Sequence, residues 1–182
     1  FGHSEVALIY CSHTLEHLER ASAERFLSEC KRVLKPGGVM RLALPNTVSD
    51  FKMGALVDLQ PNISEETKSR YFVDVAAHVL ADSRNKLESA EVKALMREDK
   101  FSPSRFVSNA ISRGVSDSFA KSNPERHISF WDYDNILSVC RDLEFSYVVP
   151  YYRGASSAEP FTNLNVFDTT EPHISFYVEL IS

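Results

Sequence analysis

Val6-Ala-Leu-Ile-Tyr10 is a short, continuous apolar run, the pattern of a strand buried on both faces. From Ala21 to Leu34 the apolar residues are Phe26, Leu27, Cys30, Val33 and Leu34, spaced i, i+1, i+4, i+7, i+8. That spacing predicts an amphipathic helix. Lys31, Arg32 and Lys35 gather in its last turn, where cations suit the carbonyl end of the helix dipole. Pro36-Gly37-Gly38 should stop it, since proline cannot continue the ladder and glycine accepts a left-handed cap. Val39 to Leu44 then predicts a second strand, ended by Pro45-Asn46. Strand, helix, glycine turn and strand in succession make a βαβ unit, with parallel strands and a right-handed crossover.

The pattern changes between residues 47 and 125. Tyr71, Phe72, Val75, Ala76, Val79 and Leu80 mark an amphipathic helix with Glu65 and Glu66 in its first turn. A weaker pattern runs from Leu87 to Arg97, and Ser102-Pro103 is an N-cap and N1 pair opening a third helix before Gly114. No strand pattern interrupts this block, which is too long for a plain loop and predicts a helical insertion. Beyond it α/β character returns. Asp132 to Leu143 predicts a helix with Ile136, Leu137, Cys140 and Leu143 inward. Ser146 to Val149 predicts a strand capped by Pro150, and Ile174 to Ile181 a final strand. The expected division is an α/β core of residues 1–46 and 126–182 around an insertion at 47–125.

Composition narrows the classes. The 182 residues are 43% hydrophobic and 25% charged, an ordinary globular balance, with length for one real core. A net charge of −5 gives no basic footprint for nucleic acid. No apolar run approaches the roughly 20 residues of a membrane span. Cys11, Cys30 and Cys140 are too few and scattered for a disulfide framework, so three buried thiols in a reducing, cytoplasmic setting are expected. The chain opens at Phe1 with four residues before its first apolar run and no signal-peptide pattern, and reads as cut from something longer.

Three stretches matter together: Tyr10-Cys-Ser-His-Thr-Leu-Glu-His-Leu18, Phe26-Leu-Ser-Glu-Cys-Lys-Arg-Val-Leu-Lys-Pro-Gly-Gly38 and Arg41-Leu-Ala-Leu-Pro-Asn46. Here the sequence resembles the class I S-adenosylmethionine-dependent methyltransferases that carry an "LEHL … RVLKPGG" signature. Arg126-His-Ile-Ser-Phe-Trp-Asp-Tyr-Asp-Asn-Ile-Leu137 resembles the family's segment before a later helix. The resemblance covers about half the chain. It implies a Rossmann-like α/β fold, here the C-terminal half of its sheet: strands four, five, seven and six side by side, parallel except for the antiparallel final strand. It implies S-adenosylmethionine as cofactor, S-adenosylhomocysteine as product, and a small-molecule or glycan-type acceptor. It places Cys11, Ser12, His13 and Leu15 at the cofactor, with Leu15 and Leu18 packing inward and Glu16 and His17 bracing the turn. His13 is the candidate general base, since an imidazole near pKa 6.5 can take a proton at neutral pH. Asn46, His127 and Trp131 are candidates for the acceptor side. Each also has a plain structural reading, as strand-end packing, turn asparagine, helix-entry histidine or core tryptophan.

Some family features are missing. No G-x-G occurs anywhere, whereas the family cradles its cofactor with a glycine-rich turn after its first strand. Strand 6–10 would then be a bare apolar edge, and self-association through it is expected. Glu5 stands where the family usually has aspartate. Glu144 replaces a glycine after the later helix, so that cap is expected to form without a free left-handed position. A non-catalytic methyltransferase-like scaffold or partner subunit is the main alternative. A third reading comes from His13-Thr-Leu-Glu16-His17, which matches the H-x-x-E-H of some zinc hydrolases. Zinc would need both histidines on one helix face plus a further ligand, and the expected site has no metal.

Overall fold

The structure, a computed structural model, describes residues 1–46, 121–122, 127–172 and 175–182. The chain divides into two compact units, Phe1–Pro45 with Trp131–Ser182, and Asn46–Phe130. The three helices expected within 47–125 lie outside the described residues. Of the second unit, Asn46 and His127 are half-buried, and Ser129 and Phe130 are buried.

The first unit is built on a four-stranded sheet. Its elements are β1 (Val6–Ser12), a 3-10 turn (Leu15–His17), α1 (Arg20–Val33) and β2 (Leu34–Pro45), then α2 (Tyr133–Asp142), β3 (Tyr147–Tyr151), a second 3-10 turn (Glu159–Thr162) and β4 (Ser175–Ile181). The strand order is β1-β2-β4-β3. β1 and β2 are parallel, while β4 runs antiparallel to both β2 and β3. Three strands thus share one direction and only the last opposes them.

Pro36-Gly37-Gly38 does not separate α1 from β2 as expected. α1 hands directly to β2 at Leu34, and the Pro-Gly-Gly stretch is an outward bulge within the strand. Val6 pairs with Leu34 and Leu8 with Val39, so two steps of β1 face five of β2. Both glycines are needed there. Gly37 has φ +73°, and a Cβ on Gly38 would lie 2.9 Å from the Lys35 carbonyl and 3.1 Å from that of Ala7. Gly37 N–H donates to Ser182 O and Ser182 N–H to Gly38 O, both at 3.0 Å, which ties the bulge to the C-terminus. β3 also departs from expectation by running on through Pro150 to Tyr151. Among the described residues β3 is an edge strand, where the missing N–H of proline costs no ladder bond.

Alternation gives the sheet two different faces. Met40, Leu42, Leu44, Val178 and Leu180 point toward α1 and α2, and close a core with Ala23, Leu27, Ile136 and Cys140. Arg41, Tyr177 and Glu179 point the other way, and all are buried. α2 starts where predicted, because Asp132 caps it by accepting from the Asn135 N–H at 2.8 Å. Its other end corrects the expectation for Glu144. Phe145 N–H bonds to Cys140 O and Glu144 N–H to Arg141 O, both at 3.0 Å, the paired bonds of a Schellman cap. Glu144 sits at φ +60°, occupying the left-handed position despite its side chain.

Candidate active site

β1 ends at Ser12, and the next residue, His13, takes φ +45°, a left-handed conformation that non-glycine residues adopt at a cost of about 1–2 kcal/mol. Such strain collects where surrounding contacts fix a side chain for a purpose. The contacts are on both sides of the ring. Nε2 lies 2.7 Å from the Ser175 hydroxyl at the start of β4, and Nδ1 lies 3.4 Å from Glu16 Oε1. The Ser175 hydroxyl also reaches the Glu171 carbonyl at 2.8 Å. A hydroxyl has one proton, so if Ser175 donates it to Glu171, its oxygen accepts from His13 Nε2–H. Glu16 then faces Nδ1 from a nearly fully buried position, 2% exposed. As a general base, His13 would have to release Ser175 first.

Around this histidine the strand end is closely built. The Thr14 hydroxyl donates to the Ser12 carbonyl at 2.9 Å, and the 3-10 turn follows through His17 N–H to Thr14 O at 3.1 Å. Ser12 Oγ is buried and has no hydrogen-bond partner among the described residues. Cys11 is buried in the core cluster; burial pushes its thiol up, the Glu16 charge adds to this, and a hydrogen bond with Thr14 opposes it. It is therefore a neutral packing group rather than a nucleophile.

The other candidates separate. Leu15 is fully buried, with its side chain in the core. Trp131 is 2% exposed in the same core, with the Arg20 guanidinium 4.1 Å above its ring, and Arg20 Nη1 reaches Asn135 Oδ1 at 3.5 Å. Asn46 directly follows the last residue of β2, and His127 precedes α2. His13 lies before the 3-10 turn and His17 at its end, so the H-x-x-E-H stretch does not form the helix that the zinc-hydrolase pattern requires.

Residues 1–42 match the family model for a methyltransferase domain. Over these residues the chain is class I methyltransferase-like. The match spans β1, the strained strand end, α1 and most of β2. No curated protein matches the chain. With β1-β2-β4-β3 order and one antiparallel strand, the first unit is a partial Rossmann-like methyltransferase fold.

Sequence reasoning missed two parts of this unit. Ser175 was not singled out, and nothing in its neighbours marks it as the partner of a histidine 162 positions earlier. The second is an ion cluster on the far sheet face. Arg41 donates from Nε and Nη2 to Asp168 at 2.9 and 2.6 Å, and from Nη1 to Glu179 at 3.0 Å. Burial alone would lower the affinity of this guanidinium for its proton, but the hydrogen bonds and charges of Asp168 and Glu179 outweigh that and raise it. Asp168 also accepts from Gly154 N–H at 3.0 Å, and Glu179 from both Ser156 and Ser157. These bonds fasten the 152–168 segment over the sheet, beside an aromatic group of Tyr10, Phe161 and Phe167. A signal was present: Arg41 and Glu179 each interrupt an apolar strand, and charges in such places need partners.

Proposed function

We propose that the protein takes part in transfer of a methyl group from S-adenosylmethionine to a small-molecule or glycan-type acceptor, with residues 11–15 forming one wall of the cofactor site. The observation that carries this reading is the strained His13 at the carboxyl end of β1, within the segment that matches the methyltransferase model. In open α/β sheets, ligands bind beyond the carboxyl ends of the strands, where strand order reverses. The residues there fit one side of such a ligand. Ser12 Oγ is a buried polar atom whose hydrogen bond is still to be made, and it is the first candidate to hold the cofactor.

When bound, S-adenosylmethionine supplies a methyl group on an activated sulfonium, which needs alignment more than acid or base assistance. The chain's own contribution is then positional. Ser175 and Glu16 fix the His13 ring, and the ring and the Thr14 bridge fix the strand end. Leu15 packs beneath, and Cys11 excludes water as a neutral thiol. His13 takes a proton from an acceptor hydroxyl or amine only if Nε2 exchanges Ser175 for the acceptor. Asn46 and His127 remain acceptor-side candidates on the family resemblance, while Trp131, enclosed in the core, does not.

A calorimetric titration of S-adenosylhomocysteine into the chain tests the proposal. Saturable one-to-one binding between about micromolar and millimolar supports it. The absence of heat through millimolar ligand favours the alternative, a methyltransferase-like module that serves as a scaffold or partner subunit.

A further inference from the structure

We infer that His13 is held as an imidazolium, donating from Nε2 to Ser175 and paired through Nδ1 with Glu16, and so serves the strand end as a fixed cation rather than as a base. Counting protons around the ring gives this result independently of methyl transfer. The Ser175 hydroxyl oxygen lies 2.8 Å from the Glu171 carbonyl, 3.4 Å from that of Thr170 and 2.7 Å from His13 Nε2. Both carbonyls can only accept, and the hydroxyl has one proton to give. With that proton directed to Glu171, the nearer carbonyl, the contact with Nε2 needs its proton from the ring.

The other nitrogen faces a carboxylate. Nδ1 lies 3.4 Å from Glu16 Oε1, and the two side chains are 12% and 2% exposed. A neutral ring protonated at Nε2 would aim its Nδ1 lone pair at this buried oxygen, acceptor against acceptor. A second ring proton turns the same contact into a buried ion pair. Turning the ring over would not help, because carbon atoms would then face both Ser175 and Glu16. Within the first unit, His17 also has a ring nitrogen within 4.8 Å of a Glu16 oxygen, but His13 is the nearer imidazole. Of the other groups nearby, Cys11 is a neutral thiol, Asp168 is already paired with Arg41, and exposed Glu171 contributes its carbonyl. The backbone agrees: His13 keeps φ +45°, and a charged ring strengthens both contacts that offset this strain.

Serine, histidine and carboxylate are the members of a hydrolytic triad, but here the proton runs the other way. In such a triad the serine gives its proton to the histidine; Ser175 receives one. An imidazolium has no lone pair with which to take a proton from an acceptor. For the methyl transfer proposed above, and resting on that reading, the acceptor arrives with its own lone pair free, as an amine or a carboxylate does. Ser175 and Glu16 are then positioning residues that act through His13.

Magnetic resonance of the histidine ring nitrogens in the labelled full chain, without ligand, tests this. At about pH 7.5 an ordinary imidazole near pKa 6.5 is about 90% neutral. The expected spectrum has both His13 nitrogens protonated in most molecules, and a neutral His13 ring in Glu16→Gln with unchanged circular dichroism. A neutral His13 ring in the wild type, whichever nitrogen holds the proton, overturns the inference. So does an imidazolium that persists undiminished in Glu16→Gln. If that variant fails to fold, the wild-type spectrum decides. Because no cofactor is present, the result stands apart from the S-adenosylhomocysteine titration: a neutral ring alongside saturable binding removes the imidazolium and leaves the proposed function, and an imidazolium without binding does the reverse.

Discussion

Replacing Arg41 with methionine should be among the most damaging single changes in the first unit. The side chain is fully buried, and its five N–H donors meet five acceptors: Asp168 twice, Glu179, and the carbonyls of Ala155 and Tyr152 at 2.9 and 3.1 Å. Methionine fills much of the volume but leaves Asp168 and Glu179, both 0% exposed, without the cation that both carboxylates accept from. Breaking a buried pair in this way costs about 3–5 kcal/mol, because the surviving charge has lost both water and partner. Against a typical domain stability of about 5–15 kcal/mol, that is a third or more of the total. In a chain of this size it lowers the melting temperature by roughly 10 °C. The single tryptophan, Trp131, lies in the core of this unit, so its fluorescence reports the transition. The triple variant Arg41→Met, Asp168→Asn, Glu179→Gln removes all three charges and should recover at least half of the loss, because neutral amides are cheaper to bury than unpaired carboxylates. A loss below about 1 kcal/mol for Arg41→Met would refute the reasoning, since exposed ion pairs contribute on that scale and buried ones do not.

Three further outcomes follow from the same geometry. Glu144→Gly should stabilise the protein by about 0.5–1 kcal/mol in urea unfolding, because glycine takes φ +60° without the side-chain penalty and gives back part of the gain as unfolded-state entropy. Tyr177→Phe should be neutral or stabilising by up to about 1 kcal/mol, because the buried hydroxyl has no hydrogen-bond partner among the described residues; a clear loss in the same assay would reveal one. Burial pushes the Cys30 and Cys140 thiols from 9.0 up to about 12, so both should resist a thiol reagent at pH 8 until denaturant is added. Their raised values also set a pH window. Below pH 9 both folded and unfolded thiols keep their protons; as pH rises from 9 toward 12 only the unfolded chain loses them, and stability should fall.

Much of the fold was legible because each element of the first unit has a local cause. The 3.6-residue spacing of Phe26, Leu27 and Cys30 gave α1 within a residue at either end, and Asp132 marked the start of α2 by a capping bond that depends on its neighbours alone. What stayed hidden depends on contacts distant in sequence. Gly37 and Gly38 looked like a helix stop, but tertiary pairing with β1 and Ser182 makes them a strand bulge. Pro150 looked like a strand end, yet at an edge it costs nothing. Glu144 looked unable to take a glycine's place, and the packed Phe145 behind it holds the left-handed turn regardless. At the candidate site, His13 could be singled out from its motif. Its backbone strain and its contact with Ser175 could not, because both arise from the approach of β4 to the end of β1.

Ser12 and His13, at the end of β1, are proposed as one wall of a cofactor site. The measurement that tests it most directly is a titration of S-adenosylhomocysteine into isotopically labelled protein, followed by amide chemical shifts. Saturable shifts centred on Cys11 to Leu15, strongly reduced in Ser12→Ala, are expected. Shifts centred elsewhere in the chain, or none at these residues under millimolar ligand, would contradict it.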